Sequence, residues 1–249
     1  MIALLRRATG RMADWIWPRT CAVAACGRPS DRPNRHICSS CFAALPFLEA
    51  GGECVRCGRP VPAPTHHDFV CESCQTDPPA FARARSALRY AFAAAELVQS
   101  FKYRRVLQLT EDFGDLLEAT LRAKFDTAAI DLVMPVPLHP HRLRERGFNQ
   151  SELLAETLAR RINRRLDTRS FIRRRDTEHQ ARSNGAARRA NLHAAFAVRR
   201  PEFVRGRTAL LVDDVMTTGA TLSACAQTLR DGGAARVWCL TLARATLEG

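Results

Sequence analysis

The stretch Thr208–Thr221 constrains the fold of this chain more than any other. It begins with an uninterrupted apolar run, Ala209–Val212, which has the length and composition of a strand buried on both faces. Two acids, Asp213 and Asp214, stand where we expect that strand to end, and a helical pattern begins after Gly219. Free N–H groups and the positive end of a helix dipole meet at such a helix start. The stretch therefore predicts an anion-binding site.

The residues of the turn favour a phosphate as the bound anion. They are Thr217, Thr218, Gly219, Ala220 and Thr221. Beside a phosphate, the carboxylates of Asp213 and Asp214 are suited to bind hydroxyl groups or a hydrated metal ion. A capped helix behind a buried strand is the structural alternative, since Thr and Asp are common capping residues. The whole pattern from Leu210 to Thr221 favours the functional interpretation, provided that it lies on a strand, a turn and a helix.

This pattern resembles the phosphoribosyl-pyrophosphate motif of the type I phosphoribosyltransferases. The resemblance implies that Asp213 and Asp214 are the catalytic residues, which meet the ribose hydroxyls, and that Thr217–Thr221 holds the 5′-phosphate. It also implies Mg²⁺ as a cofactor and phosphoribosyl pyrophosphate as the ligand. The fold expected with it is α/β, with a doubly wound and mainly parallel sheet, and the alternation of strands and helices supports the same architecture.

Eight cysteines in four pairs precede this domain, and three of the pairs have the Cys-x-x-Cys spacing. Two thiolates at this spacing can hold one tetrahedral ion. The pairs are Cys21/Cys26, Cys38/Cys41, Cys54/Cys57 and Cys71/Cys74. Disulfides are less favoured in a cytosolic chain, and redox activity needs one pair and not four. We expect two structural zinc sites, with sequential ligation favoured over crossed ligation because Leu45–Gly52 resembles a joint between two similar halves.

We expect two domains, residues 1–79 with an N-terminal helix and a double zinc ribbon, and residues 80–249 with the phosphoribosyltransferase-like fold. Thr76–Pro79 is the expected linker, and we expect few contacts across it. Cys225 and Cys239 lie within apolar patterns typical of buried packing. No apolar run approaches the length of a membrane span, and Arg6 and Arg7 interrupt the apolar N-terminus before a signal-peptide core forms. A cytoplasmic protein without membrane insertion is expected.

The formal net charge of +13 is concentrated in one block. Residues 142–207 contain 18 basic and 7 acidic residues, a net charge of +11. Such a block suits a phosphate-rich partner. However, 36 of the 38 basic residues are arginine, which reflects genome composition as well as chemistry.

A second basic stretch follows the predicted strand Asp131–Pro137. We call Leu138–Gln150 the exit segment; it carries His139, Arg142, Arg144, Arg146 and Gly147. Ligands of open α/β sheets bind at the carboxyl ends of strands, and the alternative is a solvated basic loop. The exit segment resembles the signature of the ComF/GntX family, which is linked to DNA uptake and utilisation, and it takes the place of the pyrophosphate loop there. The resemblance extends, more loosely, to residues 173–196.

These resemblances imply that the chain binds phosphoribosyl pyrophosphate with Mg²⁺ and transfers the phosphoribosyl group. Besides Thr217–Thr221, the residues expected to bind the ligand are Lys102, Arg142, Arg146, Gly147 and Arg173. The alternative is a module that binds single-stranded DNA and whose transferase site only senses the ligand. A third possibility is an adaptor that docks on the DNA-uptake machinery. Stacking aromatics are sparse in 142–207, which weakens the second hypothesis.

Overall fold

The computed structural model describes residues 19–48, 52–61, 69–175 and 194–245. The helix expected at Met1–Trp17 and residues 176–193 of the third family-like stretch lie outside the described residues. None of the described helices is both long enough and apolar enough to span a membrane.

A five-stranded parallel sheet lies at the centre of the α/β domain, and its strand order is β1-β7-β6-β2-β3. Two further strands, β4 and β5, form a separate antiparallel hairpin. In chain order the strands are β1 (Arg83–Arg89), β2 (Leu132–Pro135), β3 (Arg165–Leu166), β4 (Phe171–Arg173), β5 (Phe196–Val198), β6 (Thr208–Met216) and β7 (Arg236–Arg244). The doubly wound, mainly parallel fold expected from the sequence is confirmed.

Seven α-helices are described. They are α1 (Ser39–Ala43), α2 (Glu72–Thr76), α3 (Phe92–Tyr103), α4 (Thr110–Lys124), α5 (Pro140–Arg146), α6 (Gln150–Arg161) and α7 (Ala220–Asp231). Helices α3, α4 and α6 cover one face of the sheet, where they pack on Leu210 and Val212 of β6. Helix α7 and the β4–β5 hairpin cover the other face, which presents Leu211. Alternate residues of β6 thus enter opposite cores, as expected for a strand buried on both faces.

The order in which the chain adds strands to the sheet reverses between β2 and β6. From β2 the chain crosses through α6 to β3 at one edge, and from β6 it crosses through α7 to β7 on the other side. A crevice opens at the carboxyl ends of two such strands, and ligands of open α/β sheets bind there. The two stretches singled out in the sequence, after β2 and along β6, both lie at this crevice.

Each half of the cysteine-rich region gathers four cysteines into one group. The first tetrad is Cys21, Cys26, Cys38 and Cys41, and the second tetrad is Cys54, Cys57, Cys71 and Cys74, with the sulfurs of each within 4.8 Å of one another. Sequential ligation is therefore the arrangement that forms. All ten cysteines are free of disulfides, and Cys225 and Cys239 are buried as expected.

The sulfur geometry of both tetrads fits zinc. Zinc–sulfur bonds of about 2.3 Å in a tetrahedron place the sulfurs about 3.8 Å apart. The distance from Cys26 Sγ to Cys38 Sγ is 3.7 Å, and that from Cys57 Sγ to Cys71 Sγ is also 3.7 Å. Backbone N–H groups donate to one sulfur of each tetrad, that of Cys38 to Cys21 Sγ and that of Cys71 to Cys54 Sγ. Such hydrogen bonds orient metal ligands.

We call the segments that hold the first and the second tetrad the first and the second lobe. A buried carboxylate fixes the first lobe to the α/β domain. Asp112 of α4 is fully buried and accepts hydrogen bonds from the backbone N–H groups of His36 and Ile37. Arg32 forms ion pairs with both Asp112 and Asp115, at 2.9 and 2.7 Å. Because removing one partner would leave a buried charge uncompensated, this pairing strongly couples the lobe to α4.

The expectation of few contacts across the linker is therefore wrong. Ile37 and Leu45 belong to the same apolar core as α3, α4 and α6, and the second tetrad belongs to the core of α7. The backbone N–H of Ala84 in β1 also donates to Arg56 O at 2.7 Å. The two cysteine-rich lobes are thus packed into the α/β domain, because their own apolar content is too small to form a separate core.

We predict about two zinc ions per chain in protein purified without added zinc, measured by elemental analysis. Because the lobes share the cores of the α/β domain, zinc removal by a chelator is expected to lower the midpoint of the main unfolding transition and not only to unfold the lobes. A stoichiometry near zero, or an α/β transition that does not respond to the chelator, would contradict this prediction.

Candidate functional site

Strand β6 continues beyond its neighbour β2 at the crevice. Pairing between them ends at Pro135 and Val212, whereas β6 remains paired with β7 up to Met216 and Arg244. The expectation that the strand ends at the two acids is therefore wrong. Asp213 and Asp214 lie in its second half, on the segment from which β2 has withdrawn. The two acids thus have a rigid backbone on one side and the crevice on the other.

Asp214 lies on the face of the sheet covered by α3 and forms an ion pair with Lys102. The distance from Lys102 Nζ to Asp214 Oδ2 is 2.9 Å, and the two side chains are 18% and 4% exposed. Burial opposes the charge on Lys102, but attraction to Asp214 outweighs it and raises the pKa of Lys102. The sequence placed Lys102 among the ligand-binding residues, and the structure brings it to an acid of the motif.

Asp213 faces the opposite side of the strand and is partly buried. Its Oδ1 accepts a hydrogen bond of 2.6 Å from Ser151 Oγ, at the start of α6, and another from the backbone N–H of Asp214. Burial, followed by the neighbouring charge of Asp214, raises the pKa of Asp213 to about 7. The ionised carboxylate of Asp213 therefore destabilises the folded protein, and such shifted acids are common at functional sites.

The phosphate loop, Thr217–Thr221, connects β6 to α7. Thr217 and Thr218 are exposed, and Thr218 Oγ1 accepts a hydrogen bond from the backbone N–H of Ala220. Gly219 has a φ of +84°, and a Cβ there would lie 2.6 Å from Met216 Cε. A side chain at this position would be strained for both reasons. The loop thus presents hydroxyls and the start of α7 to the crevice, in the strand–turn–helix context that the motif requires.

The exit segment contains a short helix, α5, where the sequence suggested a basic loop. Pro140 begins this helix, and Gly147, with a φ of +83°, ends it in the left-handed conformation typical of helix C-caps. A Cβ at Gly147 would approach the Arg105 guanidinium at 3.1 Å. The exit segment is therefore packed against the chain that follows α3, and Gly147 permits that close approach.

Two of the predicted ligand-binding arginines lie on α5, and the contacts of Arg146 join it to the elements of the site. Its Nη1 donates to Gln150 Oε1 at 2.6 Å, and its guanidinium lies 5.2 Å from the ring of Tyr103, next to Lys102. Arg142 forms an ion pair of 3.1 Å with Glu145 of its own helix. Arg173 lies on β4, with its guanidinium 5.5 Å from the Phe196 ring.

Two further residues, Asn149 and Ser151, hold the site together and were not among the predicted site residues. Asn149 is buried; it caps α6 by accepting from the Ser151 backbone N–H and donates to the carbonyl of Val136. This bond ties the start of α6 to the end of β2 and places Ser151 beside Asp213. The Asn-x-Ser spacing is an ordinary capping pattern. Only the fold reveals that the serine reaches an acid 62 positions away.

Two protein-family models match the chain. Residues 149–246 match the phosphoribosyl transferase domain, and residues 12–75 match the double zinc ribbon domain. The first match contains the start of α6, β6, the phosphate loop and β7. The second contains all eight cysteines of the two tetrads. The two matches thus cover both parts of the architecture described above.

Curated relatives match over most of the chain. DNA utilization protein YhgH of Escherichia coli O6:H1 is 34% identical over 220 residues, which cover 86% of this chain and 94% of the relative. Competence protein F of Haemophilus influenzae is 30% identical over 221 residues, which cover 86% and 95%. Competence protein ComFC of Bacillus subtilis is 30% identical over 220 residues, which cover 86% of each chain. With its double zinc ribbon and its phosphoribosyl transferase domain, the chain belongs to the family of these DNA utilization and competence proteins.

Proposed function

We propose that the protein binds phosphoribosyl pyrophosphate with Mg²⁺ and transfers the phosphoribosyl group to an acceptor. The observation that carries this proposal is the arrangement at the end of β6, where two carboxylates, a lysine and a phosphate loop meet at the point where the strand order reverses. The carboxylates suit vicinal hydroxyls, the lysine suits a diphosphate, and the loop suits a 5′-phosphate.

The phosphate loop would bind the 5′-phosphate through its hydroxyls and the N-terminal N–H groups of α7. Asp213 and Asp214 would accept hydrogen bonds from the two ribose hydroxyls, which places the anomeric carbon over the crevice. Lys102 pairs with Asp214, and Arg146 lies against Tyr103, next to Lys102, so the charges of both would stabilise the leaving pyrophosphate. Positioning and charge stabilisation of this kind can supply most of the catalysis without a covalent nucleophile.

The proposed reaction is a displacement at the anomeric carbon. A lone pair of the acceptor forms the new bond to this carbon, the bond to the pyrophosphate oxygen breaks, and pyrophosphate leaves with that electron pair. The acceptor loses its proton to solvent or to a nearby base. The carboxylate oxygens of Asp213 and Asp214 fit the hard-oxygen preference of Mg²⁺. When bound, Mg²⁺ would neutralise charge on the diphosphate.

Replacing Asp214 with Asn is expected to weaken phosphoribosyl-pyrophosphate binding about tenfold to a hundredfold, because one charge-assisted contact is lost. Isothermal titration with Mg²⁺ measures this effect. Asp231→Asn is the matched control, since this exposed acid ends α7 on the side away from the phosphate loop. An equal dissociation constant for wild type and Asp214→Asn would rule out the assignment of this acid. A pyrophosphate-release assay over candidate acceptors then separates transfer from binding alone.

Replacing Asp213 with Asn is expected to stabilise the fold and to weaken the binding of phosphoribosyl pyrophosphate. Asn can accept the same two hydrogen bonds without the buried charge. With a folded pKa of about 7 against an ordinary value of 3.8, wild type loses stability as the pH rises between these values. Urea unfolding should therefore show Asp213→Asn more stable by on the order of 2 kcal/mol at about pH 8 and by less at about pH 5.5. A variant less stable than wild type at both pH values would refute this account of Asp213.

Binding of single-stranded DNA is the second candidate function, and the exposure of Tyr103 supports it. This side chain is 70% exposed beside Arg104, Arg105 and Arg146, so an aromatic ring lies within a basic surface next to the site. Three aromatics of residues 142–207 are engaged in packing: Phe148 packs on Phe101, and Phe171 stacks on Phe196.

The charge block is smaller as a DNA-binding surface than the sequence suggests. Arg160 and Arg161 of α6 form ion pairs with Glu111, at 2.7 and 2.6 Å, and Arg161 also pairs with Asp115. These charges stabilise the packing of α6 on α4. The basic surface next to the site is the one formed by α5 and the chain after α3.

A salt titration with single-stranded DNA tests this candidate. If about five arginines neutralise phosphates, log affinity should fall against log salt with a slope near −3.5. Tyr103→Ala should weaken binding because a stacking platform is lost, whereas Phe92→Ala, at the other end of α3 and 89% exposed, should not. Phosphoribosyl pyrophosphate with Mg²⁺ should compete if the surfaces overlap. Absence of binding at low salt would remove this candidate.

A further inference from the structure

The side chain of Arg244, the last residue of β7, links the second tetrad to the strand that carries the phosphate loop. It is only 3% exposed. Its Nη1 donates to the Cys57 carbonyl at 2.6 Å, and its Nη2 lies 3.8 Å from Cys57 Sγ. The same guanidinium contacts Met216 Sδ at 3.5 Å, directly before the phosphate loop. One side chain thus touches a metal-binding cysteine and the end of β6.

The charge of Arg244 needs a negative partner, since a guanidinium remains protonated when it is buried. Within the described residues, Arg244 forms no ion pair with a carboxylate. The sulfur of Cys57 is the anionic group beside it. Four thiolates around one Zn²⁺ leave a metal site with net negative charge. An uncompensated buried charge is strongly destabilising, so Arg244 and the zinc-loaded second tetrad stabilise each other.

Met216 transmits the position of Arg244 to the phosphate loop. It is 2% exposed, and its Cε would lie 2.6 Å from a Cβ at Gly219. The same glycine is approached by Phe81, which packs in the apolar core that contains the second tetrad. Ala80 donates its backbone N–H to Ser223 Oγ in the first turn of α7. The phosphate loop and the start of α7 therefore rest on side chains that the second lobe holds in place.

We propose that Arg244 is a positioning residue that couples zinc occupancy of the second tetrad to the conformation of the phosphate loop. With the ion bound, the cluster holds the guanidinium, the guanidinium holds Met216, and Met216 supports the loop at Gly219. Loss of the ion removes the charge partner of Arg244, and the loop loses its support. The protein then responds to zinc supply or to thiol oxidation by losing its phosphate site. This coupling rests on the proposed function only for the identity of the ligand that the phosphate loop binds.

Hydrogen exchange on the zinc-loaded full chain tests the coupling without that ligand. Exchange of residues 216–223 should rise about tenfold in Arg244→Met, because a charged donor to the second lobe is lost. Arg85→Met is the matched control: Arg85 is also buried and binds the same lobe through Glu53 and the Val55 carbonyl, but none of these contacts involves the loop. This control should leave exchange in 216–223 within about twofold of wild type.

Zinc removal provides the second measurement. A chelator should raise exchange of residues 216–223 in wild type but add little in Arg244→Met, where the link is already broken. If Arg244→Met does not fold, Met216→Leu replaces it, since it keeps the apolar volume and the Cys57 contacts of Arg244 but removes the thioether. Met216→Leu should raise hydrogen exchange in residues 216–223 and leave exchange in residues 69–76 of the second lobe unchanged.

The coupling is overturned if loop exchange is unchanged in both Arg244→Met and Met216→Leu, or if Arg85→Met raises it equally. It is also overturned if zinc removal leaves the wild-type loop unchanged. Titration with phosphoribosyl pyrophosphate and Mg²⁺ then separates the two proposals. A wild-type loop that responds to zinc but does not bind this ligand supports the coupling and removes the proposed function. Binding that survives in Arg244→Met, with unchanged loop exchange, retains the function and removes the coupling.

Discussion

The withdrawal of β2 from β6 at Val212 is the constraint on which the site depends. Up to that residue β6 is hydrogen-bonded on both sides, and its alternating side chains enter two apolar cores. Beyond it, only β7 remains as a partner, so Asp213 and Asp214 are rigid on one side and open on the other. Asn149 ties the start of α6 to the end of β2 and fixes where this opening begins. The rest of the α/β domain supports that short unpaired edge.

The cysteine-rich lobes stabilise this arrangement from two sides. The first lobe is bound to α4 by Asp112 and Arg32, and α4 packs against α6, which carries Ser151. The second lobe contacts β1, β7 and the segment before β1. Metal ligation supplies folding free energy that so small an apolar lobe cannot supply alone. The lobes are therefore part of the scaffold of the site, and the chain cannot be divided at residue 79 without opening both cores.

Local patterns in the sequence predicted most of the fold, and long-range contacts account for what they missed. The buried strands, the pairing of cysteines and the helix after Gly219 follow from periodicity and spacing. The short strands β3 and β4 were not predicted, because two or three residues carry no periodic signal. The pairings of Lys102 with Asp214 and of Arg244 with Cys57 bring together residues more than a hundred positions apart. No local pattern encodes such contacts, so the motif identified the acids but not their partners.

The placement of buried charge argues that the crevice is a functional site and not a structural one. Well-packed apolar residues commonly stabilise a fold as well as a buried ion pair does, or better. Asp213 is costly in its ionised form, and Lys102 is kept charged only by its acidic neighbour. The ion pairs between α4 and α6 are different, because their acids, Glu111 and Asp115, are more exposed to solvent than Asp214. Asp213 and Lys102 also join elements, but apolar packing could join those elements without buried charge. We propose that a ligand that carries hydroxyls and negative charge into the crevice offsets this cost.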